Sequence, residues 1–496
     1  MILLLLFIGL ITYLVFFYSK LRKLPPGPTP FPLIGNFPQL GWLMVRGKGL
    51  VEGMRDWQKY YGDVYTIWIG PMATVNICEY QLAQEAMIKK GNNFADRPYL
   101  YLLWLVREGR GVIGSNGQHW MEQRRFSLHT LRNFGLGRNL MEDRIMLEVD
   151  YRCKLLDRDI SNAQGAMTLN LSHHLDVTVG NIINRLLFSE RFTEENEKKF
   201  FDIKSILDES MEEGSIFDFY MESWNAKYYP FKAKHDKMIA DVMQLINFIK
   251  KQIEEKKEEI ASGKRDLRGE PEDYVDAFLA HMQKEDAEAS FTDDSLVITL
   301  VDLWFAGQET TATTLYWAFS YLTLNPEVIK KVQRELDQVT GRSRALSLAD
   351  KPKTTYLNAT ITEVLRMSSI LVFNLWRTAA ENTQIGNYLI EKGTAVTAQL
   401  SLINSDPERF EKGMEFNPDR FLNTNLEQYS TAFGMGKRAC LGESLARAEL
   451  YLILGNLLLN YDFVADPKNP PSMMALKEFG NVRRAKPFKV TISKRA

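Results

Sequence analysis

Cysteine is nearly absent: 496 residues contain only Cys78, Cys153 and Cys440. Three cysteines so widely spaced build no disulfide framework and no CxxC pair, which fits a reducing compartment and leaves each sulfur to be judged by its neighbours. Net charge is missing too. Against 62 acidic residues stand 61 basic ones, a formal charge of −1, which argues against general affinity for nucleic acid. No GxGxxG fingerprint follows a strand-like run, so the chain is expected to carry no flavin or nicotinamide site of its own. No internal repeat or low-complexity block stands out. What is there, at 45% hydrophobic, can bury a large core as one big domain or two closely packed ones.

The chain opens on MILLLLFIGLITYLVFFY, uncharged from Ile2 to Tyr18, followed by Lys20, Arg22 and Lys23. With tilt or bilayer thinning the run is just long enough to span a membrane. A cleaved signal peptide would want a basic start and small residues at the cut, and neither is evident. Residues 1–19 therefore read as a retained anchor, with the basic side, and so the body, in the cytoplasm. The proline-rich stretch LPPGPTPFPLIGN reads as a semi-rigid spacer, which makes 20–36 a linker and 37–496 the body.

Within the body the pattern is α-rich with a minor sheet. Asp63 to Cys78 alternates like a strand pair around a Gly70-Pro71 turn, and strand-like pieces return at TQIGNYLI and GTAVTAQL. Long amphipathic helices are expected at 194–213 and from His235 onward, the second dissolving into a charged stretch, Lys256 to Asp273, that reads as solvated. The longest helical signal runs from Thr292 to Leu324, starting at Thr292-Asp293-Asp294 and stopping at Asn325-Pro326. At about 1.5 Å per residue it spans roughly 50 Å and should cross the whole core. In its middle sits AGQETT, Ala306 to Thr311. A carboxylate and hydroxyls so deep in an apolar helix are costly unless used or satisfied; they are either a satisfied polar turn or a site.

Cys440 lies in FGMGKRACLGE, between glycines, after Lys437 and Arg438 and just ahead of a helix that begins near Leu441. The two cations and the positive end of the helix should each lower the thiol pKa and favour a thiolate. Gly434, Gly436 and Gly442 allow a tight bend and let a flat partner lie against the backbone. A P-loop is excluded, since Lys437 is followed by Arg438 and not by Ser or Thr. No histidine can be tied to the cysteine as a protease would need. A buried structural cysteine and a haem-iron thiolate ligand stay open.

Four motifs taken together make the chain resemble the cytochrome P450 haem-thiolate monooxygenases, in particular the animal microsomal enzymes of family two, along its whole length. FGMGKRACLG is similar to the haem signature, with Phe433, Gly436, Arg438, Cys440 and Gly442 in place. AGQETT resembles the oxygen-binding helix, which makes Glu309 and Thr310 the acid and alcohol pair. Glu363 and Arg366 match ExxR; of the two later candidates for its partner, PERF at 407–410 and FNPDRF at 416–421, the second fits the spacing and gives Arg420. Trp120 and Arg124 match WxxxR, and Arg97, Arg377 and Arg438 fall where the family places further haem-propionate contacts.

The resemblance implies a mainly α fold with a minor β region and haem b held between the long central helix and the Cys440 loop. It further implies O2 and NADPH-derived electrons, a separate NADPH-cytochrome reductase with cytochrome b5 as a further donor, and an endoplasmic-reticulum membrane site with the body facing the cytoplasm. The substrate class it implies is lipophilic: a fatty acid, eicosanoid, steroid or xenobiotic. Val112, Ile113, Phe305, Ala306, Val372, Phe373 and Phe479 fall in its substrate-recognition segments. Trp376, Asn382 and Gln308 depart from the usual pattern. A haem-thiolate isomerase or dehydratase, or a non-catalytic haem- or sterol-binding membrane protein, are the alternatives.

Overall fold

The computed structural model describes residues 2–134, 139–372, 374–480 and 482–495. Helix accounts for 56% of the residues, so the chain is mainly α. Nine short strands lie among the described residues: β1 (Val64–Ile69), β2 (Met72–Ile77), β3 (Ala166–Leu169), β4 (Arg377–Thr378), β5 (Thr383–Ile385), β6 (Tyr388–Ile390), β7 (Ala395–Ala398), β8 (Tyr461–Ala465) and β9 (Val490–Lys494). They form sheets ordered β1-β2-β7-β4, β3-β9-β8 and β5-β6. The β1–β2 hairpin closes through Gly70 at φ 58°, a left-handed turn position that glycine takes without strain.

β1 is buried on both faces, although its sequence alternates, because the preceding segment lies along it. Thr66 donates its N–H to the Pro26 carbonyl at 2.8 Å and its hydroxyl to that of Pro25 at 2.9 Å, while Trp68 donates its N–H to Asn36 Oδ1 at 2.7 Å. Much of the expected linker is thus fastened to the body. The N-terminal helix, Ile2–Leu21, reaches the same hairpin at its far end, where Phe17 packs on Trp68 with ring centroids 5.0 Å apart. Farther out, Leu4, Leu5, Phe7, Ile8, Ile11 and Val15 are exposed. Among the described residues no helix is long and apolar enough to cross a membrane.

The central helix runs Asp293–Leu324, capped by Thr292, whose hydroxyl accepts the Ser295 N–H at 3.2 Å. It is buried on almost every side, as a helix apolar all round must be, and Trp304 and Trp317 are fully enclosed. Its main neighbour is the helix Ser172–Phe188. The two approach so closely that a Cβ on Gly307 would stand 2.6 Å from Ile183 Cδ1, while one on Gly180 would meet the Phe200 ring of a third helix at 2.5 Å. These glycines set the spacing between the layers.

The charged stretch from Lys256 to Asp273 is not simply solvated. Lys256 and Asp273 are both buried and ion-paired at 3.0 Å, and Arg265 bridges Asp273 and Asp276 at 3.0 and 2.7 Å. The chain folds back there, so the charges close the loop on themselves and on the helix Tyr274–Met282.

Candidate active site

The Cys440 loop bends as its glycines allow. Gly434 and Gly436 have φ of 71° and 74°, and a Cβ on Gly436 would lie 1.8 Å from the Met87 carbonyl oxygen. Gly442 differs: its φ is negative and a Cβ there would meet nothing within 4 Å, so its reason is not inside the chain. Cys440 donates its N–H to the Phe433 carbonyl at 2.9 Å, and its sulfur accepts the Gly442 N–H. A short helix, Glu443–Glu449, follows.

The thiol itself departs from the expectation. Burial raises its pKa, with Glu443 adding to the rise, and the Gly442 N–H and Arg124 offset only part of it. The sulfur is accessible, yet protein crowds it closely enough for desolvation to dominate. Neither Lys437 nor Arg438 acts on it. Lys437 is exposed, and Arg438 sends its guanidinium away, to the carbonyls of Ala95 and Ser115 at 2.7 Å each. The chain's own groups thus leave the thiol above its ordinary pKa, with the Gly442 N–H and Arg124 as the parts that favour a thiolate.

Four arginines converge beside the loop. Arg124 donates to the Ala439 carbonyl at 2.7 Å; Arg438 lies over the Trp120 ring at 3.8 Å; Arg97 spends donors on the carbonyls of Ile113, Leu375 and Trp376. Arg377, the first residue of β4, is 1% exposed, and none of its three guanidinium nitrogens has a partner among the described residues. The Trp120 indole N–H is likewise buried and unpartnered. Burial and mutual repulsion lower the arginines, Arg377 to about 10 and Arg438 to about 9. Asp96 is the carboxylate that counters this on Arg438. So many buried cations and idle donors suit an anion with more than one acceptor; a group with two carboxylates, such as haem, fits that demand, and a Cβ on Gly442 would meet nothing within 4 Å, which leaves room there for a flat group. Phe433, half-buried and covered by Arg447 at 5.0 Å, completes the loop.

The central helix joins this cluster through a residue that sequence reasoning missed. Asp302, fully buried, accepts Arg107 Nε at 2.8 Å and the N–H groups of Val112 and Ile113 at 2.9 Å each. The carbonyls of the same two residues face Arg438, at 3.5 Å, and Arg97, at 3.0 Å. An acid seven positions before Glu309 in an apolar helix was the available signal.

Glu309 and Thr310 point apart. Thr310 donates its hydroxyl to the Ala306 carbonyl at 2.7 Å, the back-bond that loosens a helix locally. Phe305, Ala306, Gly307 and Thr310 form a half-exposed stretch of an otherwise buried helix. Glu309 turns to neighbouring elements, accepting Lys204 Nζ at 3.1 Å and the Thr313 hydroxyl at 3.2 Å, with Arg484 Nε at 3.4 Å. Burial would raise its pKa, but Lys204 and Arg484 outweigh it and hold it low.

Glu363 and Arg366, both buried, form a two-pronged pair at 2.7 and 2.9 Å, and Arg420 Nε reaches Glu363 at 3.1 Å. Arg409 of PERF instead pairs with Glu79 at 2.8 Å. Of the substrate-segment residues, Val112, Ile113, Phe305 and Ala306 are half-buried, whereas Val372 and Phe479 join a core cluster with Trp376. Phe373 lies outside the described residues. The three departures have local partners: Trp376 packs edge-on against Phe219 at 5.0 Å, Asn382 Oδ1 accepts the Lys392 N–H at 2.8 Å, and Gln308 donates to the Asp176 carbonyl at 3.1 Å. A cavity of about 710 Å³ between the helices Gly117–Asn133 and Tyr274–Met282 is lined by none of these site residues.

Comparison with known proteins agrees with this geometry. The profile of the Cytochrome P450 family matches residues 25–492. The chain is 40% identical over 472 residues to Probable cytochrome P450 cyp-35D1 of Caenorhabditis elegans, covering 93% of each chain. It is 34% identical to Cytochrome P450 2H2 of Gallus gallus over 485 residues, 95% of this chain and 94% of the relative, and 34% identical to Cytochrome P450 2C28 of Mesocricetus auratus over 473 residues, 93% and 92%. With a cysteine loop, an anion-seeking arginine cluster and this similarity along nearly its full length, the chain belongs to the cytochrome P450 family and is an oxidoreductase of the haem-dependent monooxygenase kind.

Proposed function

We propose that the protein inserts one oxygen atom from O2 into a lipophilic small molecule, using NADPH-derived electrons delivered by a separate reductase. The observation that carries this is Arg377, fully buried with three partnerless nitrogens beside Arg124, Arg438 and Trp120. In this reading Arg377, Arg124, Arg438, Arg97 and the Trp120 N–H would bind the haem propionates, and Cys440 Sγ would hold the iron. Bound haem supplies the activation of O2.

The chain's own residues do the rest. The Gly442 N–H donates to Cys440 Sγ and tunes how much charge the sulfur offers. Thr310 can turn its hydroxyl from the Ala306 carbonyl to a polar group beside the helix. Glu309, held ionised by Lys204 and Arg484, is the carboxylate that the motif offers for proton supply, with no hydrogen bond to Thr310 among the described residues. Val112, Ile113, Phe305 and Ala306 present apolar surface that excludes water and orients a lipophilic substrate. The N-terminal helix, with Lys20 in its last turn and Arg22 and Lys23 after it, holds the enzyme to the endoplasmic-reticulum membrane with the body in the cytoplasm.

The test uses the full-length protein with reductase, NADPH and ¹⁸O2 against panels of fatty acids, eicosanoids, steroids and drugs, with mass detection. One ¹⁸O atom per product is expected. Product that forms without NADPH, or that carries no ¹⁸O, would overturn the reading.

A further inference from the structure

Lys204 is a lysine with 1% exposure in a helix, Glu197–Glu213, whose sequence otherwise reads as an ordinary amphipathic surface element. Its ammonium contacts three carboxylates from three helices: Glu309 of the central helix at 3.1 Å, Asp176 of Ser172–Phe188 at 3.6 Å, and Asp208 of its own helix. Arg484, from the segment before β9, meets Glu309 at 3.4 Å, Asp208 at 2.7 Å and Glu212 at 3.5 Å. Four carboxylates thus share two cations, with the Tyr316 hydroxyl electrostatically coupled to Asp176 and Arg484. A buried lysine is expensive unless paired, and here the pairing falls on the acid that the AGQETT motif contributes.

We propose that Lys204 is the positioning residue for Glu309: its ammonium keeps the carboxylate ionised and turned toward the Glu197–Glu213 helix, so that proton supply along the central helix is set from a neighbouring element. This rests on the reading of Glu309 in the previous subsection. Burial alone would discharge Lys204, yet Asp176, Glu309 and Asp208 together hold it charged, while burial pushes Asp176 up to about 7. Burial thus works against the charge on Asp176, while Lys204 and Arg484 hold Glu309 below the usual carboxylate range.

The experiment compares haem-loaded, full-length Lys204→Met, Lys204→Arg and Glu309→Gln, and the double variant of Lys204→Met with Glu309→Gln. Infrared spectra at neutral pH should show new protonated-carboxyl absorption in Lys204→Met; Asp176 loses the same ammonium and absorbs in the double variant too, so the Glu309 band is the part that Lys204→Met shows and the double variant lacks, and Lys204→Arg should not develop it. Product per NADPH oxidised should fall at least ~10-fold in Lys204→Met, short of the ~100-fold at which loss of a general acid itself begins, and recover with Lys204→Arg. Absence of a Glu309-dependent band overturns the link between the two residues. A wild-type product ratio in Glu309→Gln overturns the functional reading of Glu309 while the band still decides the pairing. If Lys204→Met yields no folded protein, Asp176→Asn frees the ammonium for Glu309; retained coupling there supports the proposal and lost coupling overturns it.

Discussion

On the proposed reading, cofactor binding turns on Arg377. Its three guanidinium nitrogens are buried without a partner among the described residues, and a bound anion would satisfy them. Arg377→Leu should weaken haem retention by about 2 kcal/mol, roughly thirtyfold, with Arg377→Lys intermediate; absorbance-based haem titration checks it, and wild-type retention in the leucine variant would contradict it. Glu449 offers a prediction in pH. It is 1% exposed, one carboxyl oxygen lacks a partner, and burial raises its pKa to about 8 despite Thr311. The folded form holds this proton after the unfolded chain has released it, so stability contributed here is lost as pH rises from about 4.5 toward 8. Glu449→Gln removes that loss. Relative to wild type it should gain as pH rises through this window, by up to ~1.4 kcal/mol per unit, and level off above it; a pH-independent difference in urea midpoints would refute this. At this scale the sequence disclosed residue types better than directions. The Cys440 motif named the sulfur, but adjacency to Lys437 and Arg438 suggested an activation that vanishes because Arg438 points at Ala95 and Ser115. Charge acts through space, and spacing along a loop does not fix it.

Two clasps hold elements in register around the site. Glu363, Arg366 and Arg420 join the helix Thr355–Ser368 to the segment after Phe416, and Arg366 also donates to the Asn404 carbonyl at 2.7 Å. Removing one member leaves buried charge uncompensated, so Arg366→Ala should lose about 3–5 kcal/mol, read by chemical denaturation; a loss under ~1 kcal/mol would show the triad to be dispensable. The second clasp is Asp302 on the loop Gly111–Ile113. Gly111 has φ 79°, and a Cβ there would stand 2.4 Å from Asp302 Oδ2. Gly111→Ala should therefore speed amide exchange at Val112 and Ile113 at least ~10-fold, and unchanged exchange would mean the loop is held otherwise. The first clasp was readable from ExxR and FNPDRF because those spacings recur within one helix and one turn. The second was not, since its partners are 190 residues apart and only packing brings them together.

For the whole molecule, helices and strands were legible wherever periodicity was long, as in the central helix and the β1–β2 hairpin. The proline-rich segment was not: it reads as a spacer, yet its carbonyls complete β1. Removing residues 1–18 should release much of the protein from membranes while leaving haem incorporation intact, because the truncation gives up the Phe17–Trp68 packing but keeps the hydrogen bonds to β1, which begin at Pro25; loss of folding on truncation would contradict this. Arg125 and Lys437 bear on partner docking. Both are exposed, and Arg125 pairs with Glu288 at 2.7 Å. Arg125→Glu and Lys437→Glu should slow reductase-driven turnover most at low ionic strength, where complementary charges raise the association rate, and spare turnover driven by added peroxide. Equal loss in both assays would indicate a damaged haem site. The central claim, that Cys440 is the axial ligand, is tested most directly by the spectrum of the reduced protein with carbon monoxide. The strongly red-shifted Soret band of thiolate ligation is expected in the wild type and its loss in Cys440→Ala; a Cys440→Ala protein that keeps that band would contradict the account.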